Sequence, residues 1–259
     1  MRYALTCVTP PQSTTIDPLL DNYDGILLDA YGVLIDARGA LPGGIALLAE
    51  LDRRRMPYAI VTNDASRSPA TYVRRFAAMG LSVDGDRFVT SGGLLPGYFR
   101  KRGLAGARTC VLGTEDSFDY VREGGGVPID LAAGMEIDAV AVCDDSGTPF
   151  VDGIELALSA IVRAIDRGRR PALVLPNPDL VYPKGGGELG FTAGAMALVI
   201  EAALARRFPS ADLVFDRLGK PAPDLFVEAA RRLAIAPPRL LMIGDQLETD
   251  IAGANAAGL

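Results

Sequence analysis

Gly25-Ile26-Leu27-Leu28-Asp29-Ala30-Tyr31-Gly32-Val33 opens on an apolar run and passes into a carboxylate, a phenol and a glycine. A short apolar run bounded by polar and turn-forming residues reads as a strand, here Gly25 to Leu28. Outward from it the same figure recurs. Tyr58 to Val61 reads as a strand followed by Thr62-Asn63-Asp64. Leu240 to Ile243 reads as another, followed by Gly244-Asp245-Gln246-Leu247-Glu248-Thr249-Asp250 and a helix from near Thr249. Between them Gly43 to Arg54 is helical in pattern. Ser68-Pro69 supplies an N-cap and a first-turn proline for a helix ending at Gly80. Apolar strands alternating with longer helical patterns predict an α/β fold with a mostly parallel sheet. Such a sheet places its ligand crevice at the carboxyl ends of its strands, where the three polar clusters lie.

The middle of the chain has its own strand set: Thr109 to Leu112, Ala139 to Val142 and Ala172 to Leu175. A helix is expected over Asp116 to Arg122. A strongly periodic one puts Ile154, Ala157, Leu158, Ile161, Val162 and Ile165 on one face and stops at Gly168. Glycine clusters at 124–126 and 185–187 bracket part of this block. Residues 101–187 are therefore expected to form a second α/β unit inserted into a first made of 1–100 and 188–259. Gly185-Gly186-Gly187-Glu188-Leu189-Gly190 fits a dinucleotide-binding glycine pattern. Asn177-Pro178 and Pro183 separate it from its strand, and no acidic strand end follows at the usual distance, so it reads as a return loop.

The 259 residues suit one large domain or two modest ones, and with 49% hydrophobic residues the chain can bury a sizeable core. The longest apolar run, Ala195 to Ile200, has six residues against about 20 for a membrane span. Arg2 to Val8 carries one basic residue with no long apolar stretch behind it, so it does not read as a secretory signal. Basic residues number 26 against 32 acidic, a net charge of −6. No basic run is present to neutralise phosphates, so nucleic acid is not an expected partner. Arg53-Arg54-Arg55, Arg169-Arg170, Arg206-Arg207 and Arg231-Arg232 sit near the ends of helical patterns, where cations favour the helix dipole. Cys7, Cys110 and Cys143 are far apart in apolar contexts. They read as reduced core residues of a cytoplasmic protein.

Histidine is absent, which removes Ser-His-Asp and Cys-His catalysis and histidine metal sites. The chemistry falls to carboxylates, lysine, hydroxyls, backbone amides or a hard metal ion. If the strand ends converge, Asp29, Asp245 and Asp250 crowd one pocket, and like charges that close need a cation. An all-oxygen set suits Mg²⁺. Thr62 and Lys220, the latter in Gly219-Lys220-Pro221, would complete a cradle for a phosphate. A lone aspartate ending a strand is commonly only a turn or cap residue. It is the combination of four such segments that carries the signal.

These segments resemble the four motifs of the haloacid dehalogenase (HAD) superfamily, and their order and spacing are similar to its class IIA phosphatases of the NagD and p-nitrophenyl phosphatase type. Asp29-Ala30-Tyr31-Gly32-Val33 matches the first motif and Val61-Thr62-Asn63 the second. Gly219-Lys220-Pro221-Ala222-Pro223 matches the third, and Gly244 to Ile251 the fourth. Asn177-Pro178-Asp179 and Gly194-Ala195 also resemble class IIA segments. The resemblance implies a Rossmann-like parallel-sheet core with an inserted α/β cap, and a Mg²⁺-dependent phosphatase acting on a small phosphorylated metabolite. It implies Asp29 as the nucleophile that forms an aspartyl-phosphate. Mg²⁺ would be held by Asp29, Asp245 and the Tyr31 carbonyl, with Asp250 behind them. Thr62, the Asn63 amide and Lys220 would bind the phosphoryl group, and the loop from Gln246 to Thr249 would line the site. Asp29, Tyr31 and Lys220 are the catalytic candidates. Whether the chain pairs into a homodimer stays open at this point.

One departure stands out. The phosphatases usually carry a second aspartate two residues after the nucleophile, and here that position is Tyr31. A phenol is a poor base at neutral pH. Losing that acid/base step costs about 10²- to 10⁴-fold in rate, so slow turnover is expected. Asp29-Ala30-Tyr31 also resembles the first motif of the metal-independent 2-haloacid dehalogenases, a competing reading that leaves Asp245 and Asp250 unexplained. A phosphate-binding protein with little turnover is the other alternative.

Overall fold

The structure, a computed structural model, describes residues 15–259. The segment Arg2 to Val8, read from the sequence for a secretory signal, lies outside them, and Cys7 with it.

All residues of β1 (Gly25–Leu28) and of the later Tyr58–Thr62 strand are buried, as a strand covered on both faces requires. In chain order, α1 (Ile16–Leu20) precedes β1, followed by the small antiparallel pair β2 (Ile35–Asp36) and β3 (Gly39–Ala40) and by α2 (Pro42–Arg54). Then come β4 (Tyr58–Thr62), α3 (Pro69–Ala78), β5 (Phe88–Thr90) and α4 (Leu95–Arg102). The middle holds β6 (Arg108–Leu112), α5 (Glu115–Glu123), β7 (Val127–Ile129), β8 (Ala139–Val142), α6 (Phe150–Asp166) and β9 (Ala172–Leu175). After these come β10 (Val181–Gly185), β11 (Glu188–Phe191), α7 (Ala193–Arg207), β12 (Asp216–Arg217), α8 (Asp224–Leu233), β13 (Leu240–Ile243) and α9 (Ala252–Ala256).

The strands form two parallel sheets. The first has the order β13-β1-β4-β5. Period-2 alternation sends Ile26, Leu28 and Ile60 toward α2 and α3, and Leu27, Ala59 and Val61 toward α8. The second sheet has the order β12-β9-β8-β6-β7. Cys110, Leu112, Val140 and Val142 pack with α6 and α7, and Val111, Ala139 and Ala141 with α4 and α5. The mostly parallel α/β architecture read from the sequence is the observed one.

The second sheet extends past residue 187, where the sequence pattern suggests a re-entry into the first unit. Helix α7 covers one face of the second sheet through Met196, Ala197, Ile200 and Leu204, and β12 pairs with β9. The reason is burial: the apolar run Ala195 to Ile200 needs a sheet face, and the first sheet is already covered by α8. Gly185-Gly186-Gly187 is the tip of the antiparallel hairpin β10–β11, with all three φ angles positive, rather than the return. The expected helix near Thr249 begins instead as a wide π-type turn over Leu247–Ile251 before α9. That turn bends Asp250 back so that the Gln246 N–H donates to its Oδ2 at 3.1 Å. Turns of this width inside helices are frequent at functional sites.

Candidate active site

β13, β1 and β4 are neighbours, so Asp29, Thr62 and the loop from Gly244 emerge side by side at the same sheet edge. Gly32 shows how tightly these loops meet. Its φ is +92°, and a Cβ there would lie 2.3 Å from Asp245 Oδ2, so only glycine fits. Gly219 is confined in the same way: a Cβ would lie 2.5 Å from Asn63 Oδ1 and 2.4 Å from the Pro176 carbonyl.

Lys220 is the centre of the charge pattern. Its Nζ donates to Asp29 Oδ1 at 2.8 Å, to Asp250 Oδ1 at 2.6 Å and to the Val61 carbonyl at 3.3 Å. Three groups saturate the three protons of an ammonium. All three side chains are nearly out of solvent, with Asp250 at 0%, Lys220 at 3% and Asp29 at 6% exposure. Burial alone would pull the Lys220 ammonium down, but Asp29 and Asp250 outweigh it and hold the group above the ordinary lysine value. Burial pushes the Asp29 carboxyl up to about 6, against the opposing pull of Lys220 and with a smaller push from Asp250. The Ala30 N–H also donates to Asp29 Oδ1, which fixes the carboxylate plane.

Asn63 is the residue that holds Lys220 in place. The Lys220 N–H donates to Asn63 Oδ1 at 2.7 Å, and Asn63 Nδ2 donates to the Lys220 carbonyl and to Asp179 Oδ1, both at 3.0 Å. The side-chain amide is thus spent on positioning, leaving the anion-binding role expected of Asn63 to its main chain. Asn63→Ala strands buried partners on both Lys220 and Asp179. It should lower unfolding stability by about 2–3 kcal/mol, measured as a shift of the urea midpoint at constant slope. A shift below about 0.5 kcal/mol would show that water takes over these bonds.

Oxygens of Asp29, Asp245 and Asp250 all lie within 4.8 Å of one another. Three carboxylates against the one Lys220 ammonium leave two negative charges to be balanced, and the donors are all hard oxygens. A divalent hard cation fits this set, and Mg²⁺ is the ion that works with one or two carboxylates plus a phosphate. Asp245 and Asp29 would be its ligands, with the Tyr31 carbonyl completing the protein's share and Asp250 orienting Lys220 and Gln246 around it.

A cavity of about 560 Å³ opens over this cluster. Asp29, Tyr31, Thr62, Asn63, Lys220 and Gln246 line its floor, as the sequence suggests. Its walls come from residues outside the four motifs, of which only Asn177 and Asp179 lie in a segment the sequence singles out. Asp144, Asp145 and Ser146 follow β8; Asp179 follows β9; Tyr182, Pro183 and Lys184 belong to β10. Arg67, just before α3, and Arg75, in its last turn, also line the cavity, and Arg67 Nη1 donates to Asp64 Oδ2 at 2.7 Å. Burial raises both the Asp145 and the Asp179 carboxyls. The pair Asp144-Asp145 carries a usable signal, since it ends a buried strand just as Asp29 does. The Tyr31 hydroxyl is engaged away from the floor, donating to the Pro183 carbonyl at 2.8 Å.

Carboxylates and a lysine gathered at the carboxyl edge of a parallel sheet, under a second α/β unit, are the arrangement of a phosphoryl-transfer hydrolase. Comparison with known proteins narrows this. A family described as haloacid dehalogenase-like hydrolase matches residues 26–126, and one described as HAD-hydrolase-like matches 217–259. A solved structure from Cytophaga hutchinsonii, described as a possible sugar phosphatase of the HAD superfamily, is 30% identical with a TM-score of 0.83, over 96% of this chain and 86% of that one. The glycerol phosphate phosphatase of Mycobacterium tuberculosis in complex with magnesium is 29% identical with a TM-score of 0.77, over 93% of this chain and 67% of that one. A curated relative, D-glycerol 3-phosphate phosphatase from Mycobacterium tuberculosis, is 30% identical over 93% of this chain, which spans 62% of that relative's length. The chain belongs to the haloacid dehalogenase superfamily, and NagD from E. coli and the p-nitrophenyl phosphatase from Archaeoglobus fulgidus share its fold.

Proposed function

We propose that the protein is a Mg²⁺-dependent phosphatase that cleaves a small phosphorylated metabolite through an aspartyl-phosphate on Asp29. The observation that carries this reading is the cluster of Asp29, Asp245, Asp250 and Lys220 at the sheet edge. Mg²⁺, when bound, neutralises charge on the phosphoryl oxygens and holds them against Asp29. The Asp29 carboxylate oxygen attacks phosphorus as the ester P–O bond breaks, and the leaving oxygen takes up a proton. Water then attacks the aspartyl-phosphate, releasing inorganic phosphate and restoring the carboxylate. Lys220 holds Asp29 oriented and offsets negative charge as the phosphoryl group approaches. Thr62 and the Asn63 main chain meet the phosphoryl oxygens, and Gln246 lines the loop beside them. The second α/β unit, expected over 101–187 and joined on its sheet by α7 and β12, serves in this reading as the cap and faces the leaving group.

Relatives named for glycerol phosphate favour a small polyol or sugar phosphate. The buried free thiols Cys110 and Cys143 support a reducing, cytoplasmic setting, and no helix of the described residues is long and apolar enough to cross a membrane. Light scattering decides whether the chain pairs into a homodimer. The test of the activity is phosphate release from a panel of phosphorylated metabolites with Mg²⁺ and with chelator. Halide release from 2-haloacids that survives chelation would favour the dehalogenase reading instead. Tight binding of phosphorylated ligands without turnover would favour a binding protein.

Two further outcomes are expected. With the folded Asp29 carboxyl at about 6 against an ordinary 3.8, the native state holds a proton that the unfolded chain has lost between these values. Stability of the chelated protein therefore falls as pH rises through that window. Mg²⁺ competes with that proton, so the Mg²⁺-induced rise in Tm should be larger at pH of about 7.5 than at about 5. A rise independent of pH would separate the metal from Asp29. The second outcome concerns leaving groups. With no carboxyl two residues after Asp29, activated aryl esters should be cleaved far faster than alkyl phosphates. Tyr31→Asp should raise kcat for alkyl phosphates by up to about 10²-fold. If wild type already turns over alkyl phosphates quickly and Tyr31→Asp slows it, another residue supplies the proton.

A further inference from the structure

Tyr31 occupies an unusual place. Two residues before it lies Asp29, on the floor of the cavity, yet its hydroxyl is bonded 152 residues away, to the main chain of the β10–β11 hairpin. A phenol has a single proton, and this one is donated to the Pro183 carbonyl at 2.8 Å. A second approach lies beside it: the Gly185 backbone passes so close to Ala37 that a Cβ there would sit 3.2 Å from the Ala37 Cβ. The hairpin therefore rests on the segment between β1 and β3 at two places. Its own base is tied to the cap by the Asn177 Nδ2 bond to Thr192 Oγ1 and the Thr192 N–H bond to the Leu180 carbonyl. Val181, Tyr182, Pro183 and Lys184 line the cavity from this strand. The hairpin's remaining ties are few: Val181, Tyr182, Leu189 and Phe191 are exposed, and the Phe191 ring meets Phe150 of α6 with 6.0 Å between ring centroids.

From this geometry we infer that Tyr31 is a positioning residue and not a proton donor. Its hydroxyl straps the β10–β11 hairpin to the loop that carries Asp29 and so sets the wall against which the leaving group packs. The inference rests on the phosphatase reading for its kinetic consequence only, because the strap itself can be measured without turnover. Its energetic scale is that of one hydrogen bond between elements, enough to shift a local opening equilibrium by roughly threefold to tenfold.

The test is Tyr31→Phe, which keeps the ring and removes the hydroxyl. Hydrogen exchange of the hairpin amides, including Tyr182, Lys184 and Leu189, should quicken by roughly threefold to tenfold while exchange in β1 and β4 stays at the wild-type rate. In parallel, kcat/KM should fall by one common factor of that size for Mg²⁺-loaded enzyme acting on aryl and alkyl phosphates alike. Unchanged hairpin exchange would overturn the strap. A loss confined to alkyl phosphates, whose leaving groups need a proton, would make Tyr31 the acid and overturn its positioning role. A wild type without phosphatase activity would refute the function while the exchange result still decided the strap.

Discussion

Asp29→Asn should lower phosphate release to background, at least about 10³-fold below wild type. The substitution is nearly isosteric. An amide oxygen can still accept from the Lys220 ammonium and from the Ala30 N–H, which now bond Asp29 Oδ1. What disappears is the negative oxygen that attacks phosphorus and helps hold a cation. Burial already works against the charge on this carboxyl, pushing it up to about 6. A neutral side chain there should leave the chelated protein folded with an undiminished Tm. The Mg²⁺-induced rise in Tm should shrink at the same time, because a ligand charge has gone. Loss of activity with the fold intact separates chemistry from structure. Full activity in Asp29→Asn, measured as steady-state phosphate release, would overturn the mechanism.

Lys220→Met should have the largest effect on folding. The ammonium is the shared partner of two buried carboxylates, and its removal leaves Asp29 and Asp250 facing each other out of solvent. Breaking a buried ion pair by deleting one member typically costs about 3–5 kcal/mol, far more than the pair itself contributes. A methionine fills the volume of the lysine stem, so the cost is electrostatic rather than a cavity. The pH dependence follows. Without the pull of Lys220 the Asp29 carboxyl rises beyond its wild-type value, and its protonation relieves the repulsion. The deficit, read by urea unfolding in chelator, should therefore be greatest above the variant's raised Asp29 value, shrink as pH falls toward about 6, and level off below it. Mg²⁺ should recover part of it. A deficit below about 1 kcal/mol at neutral pH would mean that the carboxylates share a proton or a cation without help from the lysine.

Much of the fold and of the cavity floor is legible in the order of the amino acids. β1, β4, β6, β8, β9 and β13 fall on the apolar runs that read as strands, because a short run of large aliphatic residues between turn formers has few other ways to be buried. The Ser68 cap is as expected, its side chain accepting from the Thr71 N–H. The absence of histidine and the four polar segments limit the donor chemistry to carboxylates, one lysine, a few hydroxyls and amides. All these signals are local, carried by residues within a few positions of one another.

The tertiary structure decided the rest, and each instance involves residues distant in sequence. Asn63 meets Lys220 across 157 positions and Asp179 across 116, so its use as a brace leaves no periodic trace. Helix α7 belongs to the second sheet and not the first, because an apolar helix face states that it must be covered, and not by what. Strands as short as β12, two residues long, are defined only by the neighbour they pair with. Tyr31 is the clearest case. Its position two residues after Asp29 announces a missing carboxyl, while the task of its hydroxyl depends on where a hairpin 152 residues later comes to rest. Composition and spacing determine which groups are available and which strand end each one leaves. Only the packing of the two sheets, by bringing remote segments within hydrogen-bond distance, determines what each group is bonded to.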